Sequence, residues 1–239
     1  MNKLLTTLFA LSVACATSLA QAQSPVPADL ATPEGAAASA AKTGAPAGAK
    51  SIEAKAAMCI GCHGIPGYKA SFPEVYKVPM ISGQSPKYIA AALTAYKNGD
   101  RKHPTMRAIA EGLSEQDVTD IANWYGSHSN GKQLADKPSR EPSAQVTALL
   151  NKAACASCHG ANFSKPIDPS YPKLSGQHAD YLFVALKSYK MENNPTVGRN
   201  NGVMGAIAKQ FSNAELKVLS NYMASLEGEV SIKPEPRFR

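Results

Sequence analysis

Lys55-Ala-Ala-Met-Cys59-Ile-Gly-Cys62-His63-Gly64 returns later in the chain as Lys152-Ala-Ala-Cys155-Ala-Ser-Cys158-His159-Gly160. The likeness extends outward from both stretches. Pro79-Met-Ile-Ser-Gly-Gln84 returns as Pro172-Lys-Leu-Ser-Gly-Gln177, and Tyr88-Ile-Ala-Ala-Ala-Leu93 with Tyr96-Lys97 returns as Tyr181-Leu-Phe-Val-Ala-Leu186 with Tyr189-Lys190. Met106-Arg-Ala-Ile-Ala110 returns as Met204-Gly-Ala-Ile-Ala208. An internal repeat of this length predicts two domains of one design.

Each copy reads as helical. Ser85 can cap a helix with Pro86 at its first position, Tyr88, Ile89, Ala92, Leu93 and Tyr96 on one face, and Gly99 at its end. Ser114 to Asp117 forms a capping-box pattern ahead of Val118, Ile121, Ala122 and Tyr125. Its counterpart is Ser212 to Glu215, ahead of Leu216, Leu219, Met223 and Leu226. No alternation of period two is long enough to build a sheet. The expectation is an all-α chain with long loops at 65–84 and 193–202.

Both Cys-x-x-Cys-His stretches carry chemistry. At this spacing on a helical turn two thiols reach the two vinyl groups of one haem, and the following histidine lies within reach of the iron. Cys59, Cys62, Cys155 and Cys158 are therefore read as attaching two haems c covalently, with His63 and His159 as proximal ligands. A zinc site would need four ligands from nearby segments, yet 92 residues lie between the two cysteine pairs. A redox-active dithiol would need a βαβ setting that the pattern lacks.

The second axial ligand comes from elsewhere in each half. The candidates are Met80, His103, Met106 and His128 in the first, and His178, Met191, Met204 and Met223 in the second. The repeat acts as an internal control. Met80 aligns with Lys173, Met191 with Asn98 and Met223 with Tyr125, whereas Met106 and Met204 align with each other, 43 and 45 residues after their histidines. Both are expected in loops ahead of a helix cap, and both are favoured as ligands, with His103 the best rival. A thioether favours Fe(II) and fills the sixth position, so a site closed in this way transfers electrons rather than binding substrate. The near-match to a phosphate loop at Gly126 to Lys132 has Gln133 where Ser or Thr is required, and reads as a helix end.

The chain of 239 residues is 44% hydrophobic but only 7% aromatic, so a bulky group other than side chains is expected to fill its core. Residues 1–22 have the basic start, short apolar run and Ala20-Gln21-Ala22 cleavage pattern of a secretory signal, which points to the periplasm. Residues 23–50 hold 10 Ala, 4 Pro and 3 Gly in 28 positions and read as a disordered tether. An N-terminal domain at 51–137, a proline-bracketed linker at 138–144 and a C-terminal domain at 145–239 complete the division. The net charge of +7 is spread over both halves. No polybasic run supports nucleic-acid binding. The excess suits acidic protein partners or an anionic membrane surface.

Over residues 51–228 these motifs resemble the dihaem cytochrome c4 family of bacterial periplasms. The resemblance rests on the paired Cys-x-x-Cys-His-Gly, the Pro-x-x-Ser-Gly-Gln segments and the late Met-x-x-Ile-Ala. It implies two tandem class I cytochrome c domains related by a pseudo-twofold axis, with His63 paired to Met106 and His159 to Met204. It also implies a monomeric electron carrier between a bc1-like donor and terminal oxidases or other reductases. The alternatives are a dihaem peroxidase, a sulfur-compound dehydrogenase, or a fixed electron-transfer subunit of a larger complex. Two features depart from the family pattern: a longer tether, and Met80, which puts a second sulfur near the first haem.

Overall fold

The computed structural model describes residues 50–234; the expected signal segment, all but the last residue of the expected tether and the last five residues lie outside them. Helix α1 (Ile52–His63) carries the first cysteine pair, capped by Ser51 and closed by Gly64. It packs on α4 (Glu115–Ser127), and α4 packs on α2 (Pro86–Asn98). Helix α3 (Pro104–Glu111) completes the first half. The second half repeats this with α5 (Ala144–Lys152), α6 (Cys155–His159), α7 (Ala179–Ser188), α8 (Gly202–Lys209) and α9 (Asn213–Ser225). Among the described residues the only strands are two-residue pieces: β1 (Lys69–Ala70), β2 (Tyr76–Lys77), β3 (Arg101–Lys102) and β4 (Gly198–Arg199). The all-α expectation holds. No helix among the described residues is long and apolar enough to cross a membrane.

Both capping boxes form. The Ser114 hydroxyl accepts from Asp117 N while the Asp117 carboxylate accepts from Ser114 N, and Ser212 with Glu215 does the same. Ile121, Ala122 and Tyr125 are buried on α4, as are Leu216, Leu219 and Met223 on α9. Gly99 closes α2 in the left-handed region. The Ser85 hydroxyl, expected to cap α2, instead donates to Pro169 O of the other half at 2.5 Å, so at that position a contact between halves replaces a local one.

The second cysteine helix differs from the first for a reason visible in the sequence. The second copy lacks the residue corresponding to Met58, and one deleted residue rotates everything beyond it by about 100° on a helix of 3.6 residues per turn. The chain compensates by breaking: α5 ends at Lys152, Ala154 takes a left-handed conformation (φ 47°), and α6 restarts at Cys155. The single α1 of the first half thus becomes two helices in the second.

The halves meet about a pseudo-twofold relationship. Strands β3 and β4, one from each half, pair antiparallel with Arg101 opposite Arg199. Gln84 and Gln177, which end the two Ser-Gly-Gln segments, each bond the main chain of the opposite half. Gln84 Nε2 donates to Lys173 O and its Oε1 accepts from Lys173 N, at 3.0 and 2.8 Å. Gln177 does the same to Met80, at 2.8 and 3.0 Å. Both side chains are buried. The preceding glycines, Gly83 and Gly176, have φ near +80° and lie against main chain; a Cβ on Gly83 would stand 2.6 Å from Glu229 O.

Candidate haem sites

The four cysteines of the two pairs are all half-buried. Burial pushes the Cys59 thiol up to about 11 and raises Cys155 as well, so before haem attachment neither is a thiolate at neutral pH. A reactive dithiol needs the opposite shift. Among the described residues no three His, Cys, Asp or Glu side chains gather to hold a metal.

His63 and His159 hold equivalent positions at the ends of α1 and α6. His63 Nδ1 lies 2.8 Å from Pro79 O, and His159 Nδ1 lies 3.2 Å from Pro172 O. A carbonyl can only accept, so Nδ1 carries the proton and Nε2 keeps its lone pair. Burial holds both imidazoles below their usual pKa, hence neutral. This is the tautomer and orientation an iron ligand requires. The repeated prolines thus position the repeated histidines, a role that sequence reasoning did not give them.

Met106 and Met204 do not lie in loops, as the sequence reading expected, but in the first turns of α3 and α8. Each is the third helical residue, and its N–H is held by the residue that caps the helix: His103 Nδ1 accepts from Met106 N at 3.3 Å, and Asn201 Oδ1 accepts from Met204 N at 2.9 Å. These helices have only 8 residues each. A histidine is an uncommon cap, so the start of α3 is faint in sequence; Pro104 at the first helical position was the signal available. His103, the rival ligand, already uses Nδ1 as a cap acceptor, and its repeat partner Asn201 performs the same task.

Cys59 and Met106 pack on one buried cluster with Ala56, Ile89, Leu113 and Tyr125. The Tyr125 hydroxyl is buried without a hydrogen-bond partner, and the Cys59 thiol is the polar group beside it. In the second half Cys155 packs on Val146, Phe163, Leu182 and Met223, while Met204 is half-buried on α8. Met80 follows Pro79, the partner of His63, and both of its main-chain polar groups are taken by Gln177. Its main chain is thus tied to the segment that holds His63. His128 is engaged with Trp124 O, and Met223 is buried in the core of the second half. Two thiols on a helical turn, an oriented neutral imidazole and a thioether fit a covalently bound haem c in each half.

Fold and sites together define a two-domain c-type cytochrome, an electron carrier with two covalently bound haems c. The Cytochrome c family model matches residues 143–227. Cytochrome c4 of Pseudomonas aeruginosa is 30% identical over 73% of this chain and 86% of its own length. A thiosulfate dehydrogenase electron acceptor from Thiomonas intermedia is 26% identical over 76% of this chain and 84% of its own. The solved structure of reduced cytochrome c4 from Pseudomonas stutzeri aligns with a TM-score of 0.52 and 25% identity, over 74% of this chain and 97% of the other. The chain belongs to the cytochrome c4 family.

Proposed function

We propose that this protein is a monomeric periplasmic shuttle that carries electrons from a bc1-like quinol-oxidising complex to a terminal oxidase or another reductase, with both of its sites closed by protein ligands. When bound, the haems supply the one-electron Fe(III)/Fe(II) couple. His63 Nε2 and the Met106 thioether would hold the iron of the first site, and His159 Nε2 and the Met204 thioether that of the second. Residues 51–137 and 145–239 form the two domains, joined through 138–144.

The observation that carries this reading is the equivalence of Met106 and Met204, each the third residue of a short helix and each held at its N–H by the capping residue. Two methionines placed alike in two halves, while Met80, Met191 and Met223 have no counterpart, are hard to explain as core filling. An iron held by both a histidine and a methionine would leave no position for substrate, which would separate a carrier from a peroxidase or dehydrogenase.

The experiment has two arms. Carbon monoxide added to the reduced protein should leave its spectrum unchanged; binding to one haem per chain would support the enzymatic alternatives. Membranes containing a quinol-oxidising complex should reduce the protein, and a terminal oxidase should reoxidise it. Reduction by thiosulfate with its dehydrogenase, and none by quinol-linked membranes, would transfer the donor role to a sulfur-oxidising enzyme.

A further inference from the structure

Between His63 and Pro79 the first half carries fifteen residues, 64–78, where the second carries twelve, 160–171, between His159 and Pro172. The longer segment folds into an arm. Strands β1 and β2 form its stem, with Ala70 opposite Tyr76 and Lys69 opposite Lys77. Residues opposite each other in a ladder share a face, and successive residues alternate between faces. The face of Ala70 and Tyr76 turns inward. Tyr76 is buried, β2 packs on α7 of the second half, and the Tyr76 and Tyr181 ring centres stand 6.3 Å apart. Asp180 Oδ2 accepts from Lys77 N at 3.0 Å and Glu74 pairs with Lys187, which fastens the arm to α7. The other face is open to solvent. Lys69, Lys77 and Val75, which alternates with Tyr76, are exposed there, Val75 to 65%, with exposed Tyr68 and Phe72 next to them in the chain. Neither lysine has a carboxylate within ion-pair distance among the described residues. Like charges directly opposite each other weaken a ladder. The corresponding segment of the second half also exposes apolar side chains, Ile167 and Tyr171, but its charge is balanced: Lys165 pairs with Asp136 at 2.6 Å, and Asp168 adds a carboxylate.

We propose that the outer face of this arm is the docking surface for a redox protein whose contact face is acidic around an apolar centre, and that this surface belongs to the first half alone. The proposal rests on the carrier reading above. An acidic partner supplies the carboxylates that Lys69 and Lys77 lack, and opposite charge steers the encounter and fixes its orientation. Val75 and its apolar neighbours lose water on contact. Two cations are too few to hold a protein on an anionic membrane, where basic clusters are larger. The arm leaves the chain after His63 and returns at Pro79, whose carbonyl orients that histidine. A partner seated on it therefore stands next to the segment that positions the first site.

The test measures second-order electron exchange between the full holoprotein and three partners over a range of ionic strength: membranes with a quinol-oxidising complex, membranes with a terminal oxidase, and thiosulfate dehydrogenase with thiosulfate. The variants are Lys69→Glu, Lys77→Glu, Lys69→Arg and Val75→Ser, with Lys165→Glu as the control in the second half. Each arm glutamate variant should exchange about tenfold more slowly with at least one partner at low salt. The deficit should close at high salt. Lys69→Arg should keep most of the parent rate, and Val75→Ser should be slower at every ionic strength. Carbodiimide, which joins an amine to a carboxylate, should link that partner through Lys69 or Lys77. Reduction by a small neutral quinol should be the same in every variant; slower reduction by it would make the arm part of the first site's structure and overturn the proposal. Parent rates in both arm glutamate variants would overturn the docking surface and leave the carrier reading intact. Equal slowing in Lys165→Glu would assign the effect to net charge and overturn it too. A parent that exchanges with none of the three partners would remove the carrier reading and the arm with it. Parent binding to phosphatidylglycerol vesicles that the arm glutamate variants lose, with exchange rates unaltered, would give the arm to a lipid surface and overturn a protein partner.

Discussion

Gln177 holds the main chain of Met80 at both ends, its Oε1 accepting from Met80 N and its Nε2 donating to Met80 O. Met80 follows Pro79, whose carbonyl orients His63. One amide of the second half therefore fixes the segment that positions the histidine of the first. Gln84 on Lys173, next to Pro172 and His159, returns the same arrangement.

Truncating either glutamine should therefore disturb the opposite half. Gln177→Ala leaves two main-chain groups of Met80 without partners, at a cost of about 1–3 kcal/mol for each that stays buried. We expect lower stability on thermal unfolding and a changed spectrum for the His63 site alone. Gln84→Ala should change the His159 site alone. Changes confined to the mutated half would refute the crossed arrangement.

His103 distinguishes a cap from a ligand. His103→Asn copies Asn201 and should preserve the spectrum and most of the stability, whereas His103→Ala should cost about 1 kcal/mol through loss of the cap. Neither change should remove the methionine signature of the first site. A first site that lacks that signature in the parent and gains it in the asparagine variant would make His103 the ligand.

As proposed ligands, Met106 and Met204 should act independently. Met204→His exchanges a thioether for an imidazole and should lower one midpoint while nearly sparing the other. Met106→Leu should let carbon monoxide bind half of the haems in the reduced protein. Equal shifts in both midpoints from Met204→His would contradict two separate sites.

Acid stability should depend on Lys55. Its ammonium lies 2.8 Å from Asp117 and 2.7 Å from Asp120, and it holds both carboxyls below their usual range, with Ser114 assisting at Asp117. A depressed folded-state pKa contributes stability that is full above the ordinary aspartate value of about 3.9 and disappears as pH falls through the folded value. The difference in thermal midpoint between the parent and Lys55→Met should thus be widest near neutrality and close towards about pH 2. A difference that stays constant across that range would assign the loss to packing of the lysine stem.

Much of this architecture was legible in the sequence because the repeat was. The cysteine pairs, both histidines, the capping boxes and the apolar faces of α2, α4 and α9 are local patterns, and each appears twice. The helices carrying Met106 and Met204 were missed because they are short and because one begins on a histidine cap. Ser85 was misread because its hydroxyl serves the opposite half, a choice made by tertiary contact rather than by propensity. The roles of Gln84, Gln177, Arg101 and Arg199 were out of reach for the same reason: their partners lie about a hundred residues away or across a pseudo-twofold joint that no local pattern encodes. The break at Ala154 was written plainly, as one residue fewer before Cys155.

The central claim is that each half closes its iron with one histidine and one methionine. The most direct measurement is the absorption spectrum of the oxidised protein, normalised to covalently bound haem, in the weak far-red band that methionine sulfur gives on ferric haem. The account predicts an intensity equal to two such ligands per chain, halved in Met106→Leu and halved in Met204→His. Intensity for one ligand or none in the parent protein would contradict it, and would leave an open or differently ligated site able to bind substrate.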